Sequence, residues 1–455
     1  MDTLDFVDQV DYQLEFRETF GLDTSAEHIG QVLNQRRQTE FGIQGFGLYL
    51  SEAESDDFAS RETLAVALEN FDDSTVGGPH NLVGILQAHQ NHGKIHIHVV
   101  ESKLVDRKAL REQFGPGGFL IVQERRSLEE LETIRATLTE RLIEFDIAFA
   151  SEIAFTDQGS AVRLFLPEGF KLTGSITHGV PNDSILVETG LEVSDVHEDN
   201  NHSRSDLAPG QTIHVNDHGA AGWCTWGANG HTNTYNYIVT AGHCFKNSVN
   251  TSATTRYERN NFMIKNGSRH LNTIYKELTP TSAFLYARNT SYIDAARISS
   301  ADADTNAYHK MGEFGHIVNR ARHNSWDVGT FLCAALGRSR TFRCGVVQSE
   351  NYTYNDPNGP FNTTRGVRLS FTVDSGDSGA GVVGVVGGYP TVGDGLTLDG
   401  IIKAKITVSG WFDRSLMVTA YDVKRGLGSS FDFNCANSLQ TKAADQWGFC
   451  PAVFR

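Results

Sequence analysis

The stretch Gly376-Asp377-Ser378-Gly379 sets a serine between glycines. On a tight turn such a serine can hold its hydroxyl outward while neighbouring backbone N–H groups converge on one point, the arrangement that an acyl-transfer oxyanion needs. A serine hydroxyl is a weak nucleophile near neutral pH, so it requires a base to take its proton and a carboxylate to hold that base in one tautomer. Both occur upstream. Tyr237-Ile238-Val239-Thr240-Ala241-Gly242-His243-Cys244 delivers a histidine at the end of a β-branched and aromatic run. Tyr292-Ile293-Asp294-Ala295-Ala296-Arg297-Ile298 sets Asp294 among small and apolar neighbours, which suits a buried strand end; Asp302 and Asp304 lie in a polar stretch and suit it less. The order along the chain is His, Asp, Ser. An α/β-hydrolase needs Gly-x-Ser-x-Gly and a later histidine, and no histidine follows Ser378. A subtilisin-like order puts the aspartate before the histidine.

Three groups drawn from remote stretches need a rigid scaffold. The second half of the chain consists of short β-like runs separated by Gly, Asn and Asp clusters, the pattern of all-β barrels. Within it, the Thr-Ala-Gly-His-Cys run ending at Cys244 and the Gly-Asp-Ser-Gly run at Ser378 resemble the motifs of chymotrypsin-fold serine proteases. The stretch Phe331-Leu332-Cys333-Ala334-Ala335-Leu336-Gly337-Arg338-Ser339-Arg340-Thr341-Phe342-Arg343-Cys344-Gly345 resembles more narrowly the bacterial streptogrisin and α-lytic protease branch. The resemblance covers residues 211–428. It implies an all-β double barrel that hydrolyses peptide bonds in protein or peptide substrates, without a cofactor or metal. His243 would be the base, Asp294 its orienting carboxylate and Ser378 the nucleophile, with the N–H groups of Gly376 and Ser378 as the oxyanion hole. The same resemblance implies disulfides Cys224–Cys244 and Cys333–Cys344, which leaves Cys435–Cys450 as the third pair.

Two departures bear on substrate binding. Ala380 follows Gly379 where the family usually has a second glycine. Gly400-Ile401-Ile402-Lys403-Ala404-Lys405 aligns with the segment where the family has a Ser-Gly-Gly-like edge for pairing with substrate backbone. Ser375, Ile402, Lys403 and Ala404 are therefore the candidate substrate-binding residues. Lys403 or Lys405 would favour acidic residues before the cut if it faced the cleft; the plainer expectation is that both lysines point to solvent.

At 455 residues the chain fits two or three domains. No run approaches the roughly 18 apolar residues of a membrane-spanning helix. The start Met1-Asp2-Thr3-Leu4-Asp5-Phe6 has neither the basic nor the apolar region of a signal peptide. All six cysteines lie in the second half, an even number that fits an oxidising, extracellular compartment. Zinc is the rival use of these cysteines, but no Cys-x-x-Cys occurs. Residues 1–200 hold 36 acidic against 15 basic residues, a balance of −21, whereas residues 201–455 hold 19 against 24, a balance of +5. That asymmetry suits docking of one half on the other, an ordinary solvated acidic face being the alternative. Without clustered basic residues, nucleic-acid binding is disfavoured.

Residues 1–80 read as helical, and from Asn81 the pattern becomes a hairpin. Leu82 to His89 leads into the turn Asn91-His92-Gly93, after which Lys94 to Val100 alternates with period two. His96 and His98 share one face of the second strand with His89 and His92 nearby, which would allow a metal; solvent-facing polar positions opposite Ile95, Ile97 and Val99 are the preferred reading. A helix ending before Gly115-Pro116, a strand over Phe119–Val122 and a helix opened by the capping box Ser127-Leu128-Glu129-Glu130 follow. The helix carries an apolar stripe of Leu131, Ile134, Leu138 and Leu142, and two strands then flank Asp157-Gln158-Gly159-Ser160. This α/β domain, residues 1–195, resembles over about residues 30–195 the pro-regions of α-lytic-type proteases, which implies an intramolecular folding assistant and inhibitor. A retained targeting module is the rival, as is a binding-only pseudoprotease for the whole chain. Residues 196–210 are polar and read as a linker, and 429–455 as a tail stapled by Cys435 and Cys450.

Overall fold

The computed structural model describes residues 6–35, 48–156, 159–195, 209–210, 212–217, 220–232, 236–244, 263–266, 276–277, 282–285, 294–299, 308–311, 314–322, 328–337, 342–355, 363–384, 395–408, 414–428, 430–436, 447–449 and 452–453. The N-terminal part opens with three helices, α1 (Phe6–Phe20), α2 (Ala26–Gln35) and α3 (Glu52–Glu69). Ser51 and Glu54 form a reciprocal capping box that starts α3. The same Glu54 receives two bonds from buried Arg17, at 2.6 and 3.1 Å, and so ties α3 to α1.

A three-stranded sheet follows, in the order β1 (Leu82–Ala88), β2 (Lys94–Val99), β3 (Phe119–Gln123), with α4 (Arg107–Phe114) crossing between the last two. The crossover explains why β2 and β3 run parallel. Apolar residues Ile95, Ile97 and Val99 of β2 are fully buried against Leu110 and Phe114. Next come α5 (Leu128–Glu144), β4 (Phe149–Thr156), β5 (Gly159–Leu166), α6 (Gly174–Thr177), β6 (Ile185–Thr189) and β7 (Leu191–Asp195). Ser127 and Glu130 make the expected capping box, and Leu131, Leu138 and Leu142 are buried along one side of α5. Asp157 and Gln158, expected at the turn between β4 and β5, lie outside the described residues.

The expected solvent face of β2 is a correction. His98 is buried, with Nδ1 2.5 Å from Glu124 Oε1, and Glu124 also accepts from the Ser160 backbone and hydroxyl at 2.7 and 2.8 Å. His89 is likewise buried. His98 is covered by the β4–β5 pair, since the Phe155 ring is 4.7 Å from its own and a side chain at Gly84 would run into Phe155 at 2.2 Å, whereas His89 is covered by Phe20 of α1, at 4.6 Å.

The second half is strand-rich. Its described strands are β8 (Thr212–Asp217), β9 (Ala220–Thr225), β10 (Ala228–His231), β11 (Asn236–Thr240), β12 (Met263–Asn266), β13 (Lys276–Glu277), β14 (Ser282–Leu285) and β15 (Asp294–Ser299). They continue with β16 (Tyr308–Met311), β17 (Phe314–Arg322), β18 (Phe331–Ala335), β19 (Phe342–Asn355), β20 (Thr363–Leu369), β21 (Gly381–Gly384), β22 (Gly395–Val408) and β23 (Arg414–Thr419). Helix α7 (Ala420–Leu427) and β24 (Asp432–Ala436), β25 (Trp447–Phe449) and β26 (Ala452–Val453) complete them. One four-stranded sheet has the order β13-β12-β8-β9, and a six-stranded sheet has the order β14-β15-β11-β10-β24-β25.

The third sheet has thirteen strands and does not stop at the boundary between the halves. Its path is β16-β17-β22-β21-β18-β19-β4-β5-β6, with β4 joined to β19 at Ala150↔Tyr354 and β7 joined to β22 at Ala404↔Asp195 through Val408↔Leu191. The two halves also share a core, since Phe16 and Phe20 of α1 pack with Phe58 and Phe331 at ring distances of 5.2 to 6.4 Å. Ion pairs run from acid in the first half to base in the second: Arg368 clamps Glu152 at 2.7 and 2.8 Å, and Arg343 meets Glu15 at 3.4 Å. Past α7, two described phenylalanines join the core. Phe431 and Phe433 are buried beside Tyr237, and β24 pairs with β10 within the six-stranded sheet.

Candidate active site

Strand β11 is held between β10 and β15, so its apolar residues Tyr237, Ile238 and Val239 are buried and its C-terminal end is fixed. The chain then turns through Ala241 and Gly242 into His243. A side chain at Gly242 would come within 3.0 Å of Asp294 Oδ1, so this close approach needs glycine. Asp294 opens β15, the strand paired with β11, and register alone therefore brings it beside the histidine. Its Oδ1 accepts the His243 backbone N–H at 2.8 Å and its Oδ2 lies 2.7 Å from Nδ1. With Nδ1–H donating to that carboxylate, Nε2 is left as an acceptor. Ser378 Oγ sits 2.7 Å from Nε2.

All three residues are buried. Burial by itself would raise the Asp294 carboxyl, but the charge and hydrogen bonds of His243, with the charge of Lys403, outweigh it and hold Asp294 below the ordinary carboxylate range. The disulfide Cys224–Cys244 lies next to His243 in sequence. From the same strand as Cys224, Thr225 donates its backbone N–H to Ser378 O at 2.7 Å and its hydroxyl to Gly376 O at 2.9 Å. One short segment thus steadies both His243 and Ser378.

The serine loop is set by its own backbone. Gly376 and Gly379 have φ of 97° and 86°, the left-handed region that favours glycine. A side chain at Gly379 would meet Thr240 Oγ1 at 2.1 Å and Thr225 O at 2.6 Å. Asp377 O accepts from Ala380 N at 2.9 Å, which fixes the 377–378 peptide and therefore the direction of the Ser378 N–H. Buried Asp377 closes the loop by accepting the Asp374 N–H at 3.0 Å. The Ser378 hydroxyl is thus held against His243 on a loop tied by its own backbone bonds, an arrangement able to support acyl transfer.

The four candidate substrate residues fall in different surroundings. Ser375 is partly exposed, three residues before Ser378. Ile402 is buried in a core cluster and exchanges backbone bonds with Gly379 and Ala380 at 2.8 Å. Ala404 is buried and paired with Asp195 of β7. Lys403, expected at solvent, is only 1% exposed. The reason is a bulge: Ile402 faces Met417 and Ala404 faces Leu416, so Lys403 is an extra residue without a counterpart on β23. The sequence reading missed β7 altogether, although alternating Leu191 and Val193 carry a period-two signal.

The disulfides Cys224–Cys244 and Cys333–Cys344 are both formed. Cys450 lies outside the described residues, as do most of the linker, Asp302 and Asp304. Among the described residues no group of three or more His, Cys, Asp or Glu could hold a metal ion, and no helix is long and apolar enough to cross a membrane.

No protein-family model matches the chain, and neither does any curated protein. Among solved structures the chain is similar to Thermobifida fusca protease A, at 15% identity over 50% of this chain and 99% of that one, with a TM-score of 0.33. It is similar to a Nocardiopsis protease with the same identity, coverage and score. Similarity to Cellulomonas bogoriensis chymotrypsin is at 17% identity, over 49% of this chain and 96% of that one, with a TM-score of 0.32.

Proposed function

We propose that this chain is a serine endopeptidase that works through an acyl-enzyme on Ser378. The observation that carries the reading is the continuous hydrogen-bonded path Asp294 Oδ2–His243 Nδ1 and His243 Nε2–Ser378 Oγ, at 2.7 Å in both links. As Ser378 Oγ attacks the peptide carbonyl carbon, its proton passes to His243 Nε2. The carbonyl oxygen becomes an oxyanion, which the Gly376 and Ser378 N–H groups stabilise. Collapse breaks the C–N bond, and the leaving amine takes the proton from Nε2. Water then repeats the sequence on the ester, returning the serine proton. Asp294 remains a carboxylate throughout and stabilises the imidazolium.

In this reading the N-terminal half is a pro-region docked on the enzyme, which is made as a zymogen, exported, and cut within the polar segment that follows β7. Several features support it. Strand β7 pairs with Ala404–Val408 of β22, the edge that would otherwise pair with substrate backbone, and Asp195 ends opposite Ala404. Strand β4 adds to β19, and Glu15 of α1 accepts the Thr372 N–H at 2.8 Å, six residues before the nucleophile. A scaffold whose strands pair across hundreds of residues folds slowly unless templated, which gives such a docked half a use.

The test is to purify the full chain and its Ser378→Ala variant in parallel. Each is treated with a fluorophosphonate and followed by intact mass and by casein digestion. Labelling of Ser378, casein cleavage and conversion to a fragment cut between about residues 196 and 215, all in the wild type alone, are the expected results. Labelling with both chains remaining whole makes the N-terminal half a retained module. No labelling at all replaces the enzyme with a binding-only protein.

A further inference from the structure

Between the end of β20 at Leu369 and the turn that carries Ser378, residues 370–374 belong to no strand. No ladder fixes their backbone, so their polar groups need partners of another kind. Ser370 donates its N–H to Val346 O at 2.9 Å, and Phe371 O accepts the Ser415 hydroxyl at 2.9 Å. Asp374 is clamped from both sides: its N–H donates to Asp377 Oδ2 at 3.0 Å and its carbonyl accepts the Asp377 N–H at 3.1 Å. All of these partners lie in the second half. Thr372 differs. Its N–H donates to Glu15 Oε1 of α1, 357 residues earlier in the chain, at 2.8 Å, and its hydroxyl lies 3.4 Å from Glu15 Oε2.

Glu15 is itself held for this bond. Its Oε2 lies 3.4 Å from Arg343 Nη1, and the Arg343 guanidinium lies 4.9 Å over the ring of Tyr12, which is buried on the same side of α1. The next residue, Phe16, fastens the helix to the second half with its ring 6.4 Å from that of Phe331. On the other side of the bond, Val373 is buried in one core cluster with Phe371 and Ala380, so the chain from Thr372 to Asp374 has little room to absorb a shift. A displaced Thr372 therefore displaces Asp374. The Asp374–Asp377 clamp encloses Gly376 and ends one residue before Ser378, so the direction of the nucleophile depends on it.

We infer that Glu15 is a positioning residue, which from the N-terminal half completes the bonding of the segment before the nucleophile and so holds Ser378 in its reacting geometry while the two halves remain joined. The inference rests on the acyl-transfer reading above and extends it. The half that occupies the peptide edge also keeps the nucleophile ready, so that a first cut can be made within the joined chain. Glu15 acts through Thr372 and Asp374 and touches no substrate. A displacement of about 1 Å at a reacting group is enough to slow its chemistry by about tenfold to a hundredfold.

Fluorophosphonate labelling of Ser378, followed by intact mass on chain that is still whole, needs the nucleophile but not the peptide edge. In Glu15→Leu the maximal labelling rate should fall about tenfold, with the inhibitor concentration for half-maximal rate unchanged. Glu15→Gln, whose side-chain oxygen still accepts the Thr372 N–H, should restore the rate. Arg343→Met removes the neighbouring ion pair and ring contact but leaves the Thr372 bond, so it should label like the wild type. A fall in Arg343→Met equal to that in Glu15→Leu makes the contact one of docking alone and overturns the inference. A leucine variant within about twofold of the wild-type rate overturns it as well. Glu15→Ala serves if the leucine variant does not fold. Independently, amide hydrogen exchange in the full-length Ser378→Ala chain reads the segment without catalysis. Removing the Glu15 carboxyl should unprotect Thr372, Asp374 and Asp377 together, whereas loss of protection at Thr372 alone overturns the inference. A wild type that takes no label at any concentration, with the exchange result still as expected, refutes the hydrolase reading and leaves the hold of Glu15 on the loop standing.

Discussion

Acid should loosen the union of the two halves through one histidine. His89 sits in the turn between β1 and β2, and its Nε2 donates to the carbonyl of Gly329, 240 residues later, at 2.7 Å. Its ring lies edge-on to Phe20 at 4.6 Å. Burial pushes its pKa down to about 3, against a smaller upward pull from the Gly329 carbonyl. An unfolded histidine takes a proton near pH 6.5, whereas the folded one resists it until about pH 3. The folded state therefore loses nothing above pH 6.5, then about 1.4 kcal/mol for each unit of acidification down to about pH 3. At about pH 4.5 the loss should be roughly 3 kcal/mol. His89→Gln can still donate to Gly329 but has no proton to gain. Urea unfolding of both chains, in the Ser378→Ala background and followed by circular dichroism, isolates the term. The packing lost with the imidazole lowers the variant equally at every pH, so the difference between the chains should shift in favour of the variant by roughly 3 kcal/mol between about pH 7 and about pH 4.5. A difference that stays constant refutes the argument, and with it the view that His89 is held neutral by burial.

Two further outcomes follow from the site. Gly379→Ala should abolish fluorophosphonate labelling of a chain that keeps its circular dichroism spectrum, because the added methyl would lie 2.1 Å from Thr240 Oγ1 at a φ of 86°. Replacing Cys333 and Cys344 together by alanine opens a loop with a sequence separation of 11 and should cost about 3 kcal/mol, read as a lower urea midpoint in the second half.

The candidate site was legible in the sequence because its constraints are local. Gly242 must admit Asp294, Gly376 and Gly379 must take left-handed turns, and each demand leaves a glycine within a few residues of the functional group. Helix α5 announced itself in the same way through its serine and glutamate cap, whereas the equivalent cap of α3 went unread. What the sequence could not disclose depends on which remote segment covers a given face. The alternation of Lys94–Val99 correctly separates Ile95 and Ile97 from His96 and His98, but only the overlying β4–β5 hairpin decides that His98 is interior. Lys403 reads as one more residue of a strand until its register against Met417 and Leu416 reveals the bulge.

The same limit hid the most consequential feature, the sheet shared by the two halves. Edge strands accept a partner through backbone groups, so the identity of that partner leaves little trace in side chains. Here the free edges of β19 and β22 take β4 and β7. The second pairing has a direction that matters: β7 runs antiparallel to β22 from Val408 down to Ala404, one residue short of the Lys403 carbonyl that faces Ser378. In the proposed peptidase, a peptide that used the same edge would have to displace the five-residue ladder from Ala404 to Val408. Under the proposed peptidase reading, competition for that edge is how the attached N-terminal half would inhibit, whatever its role in folding.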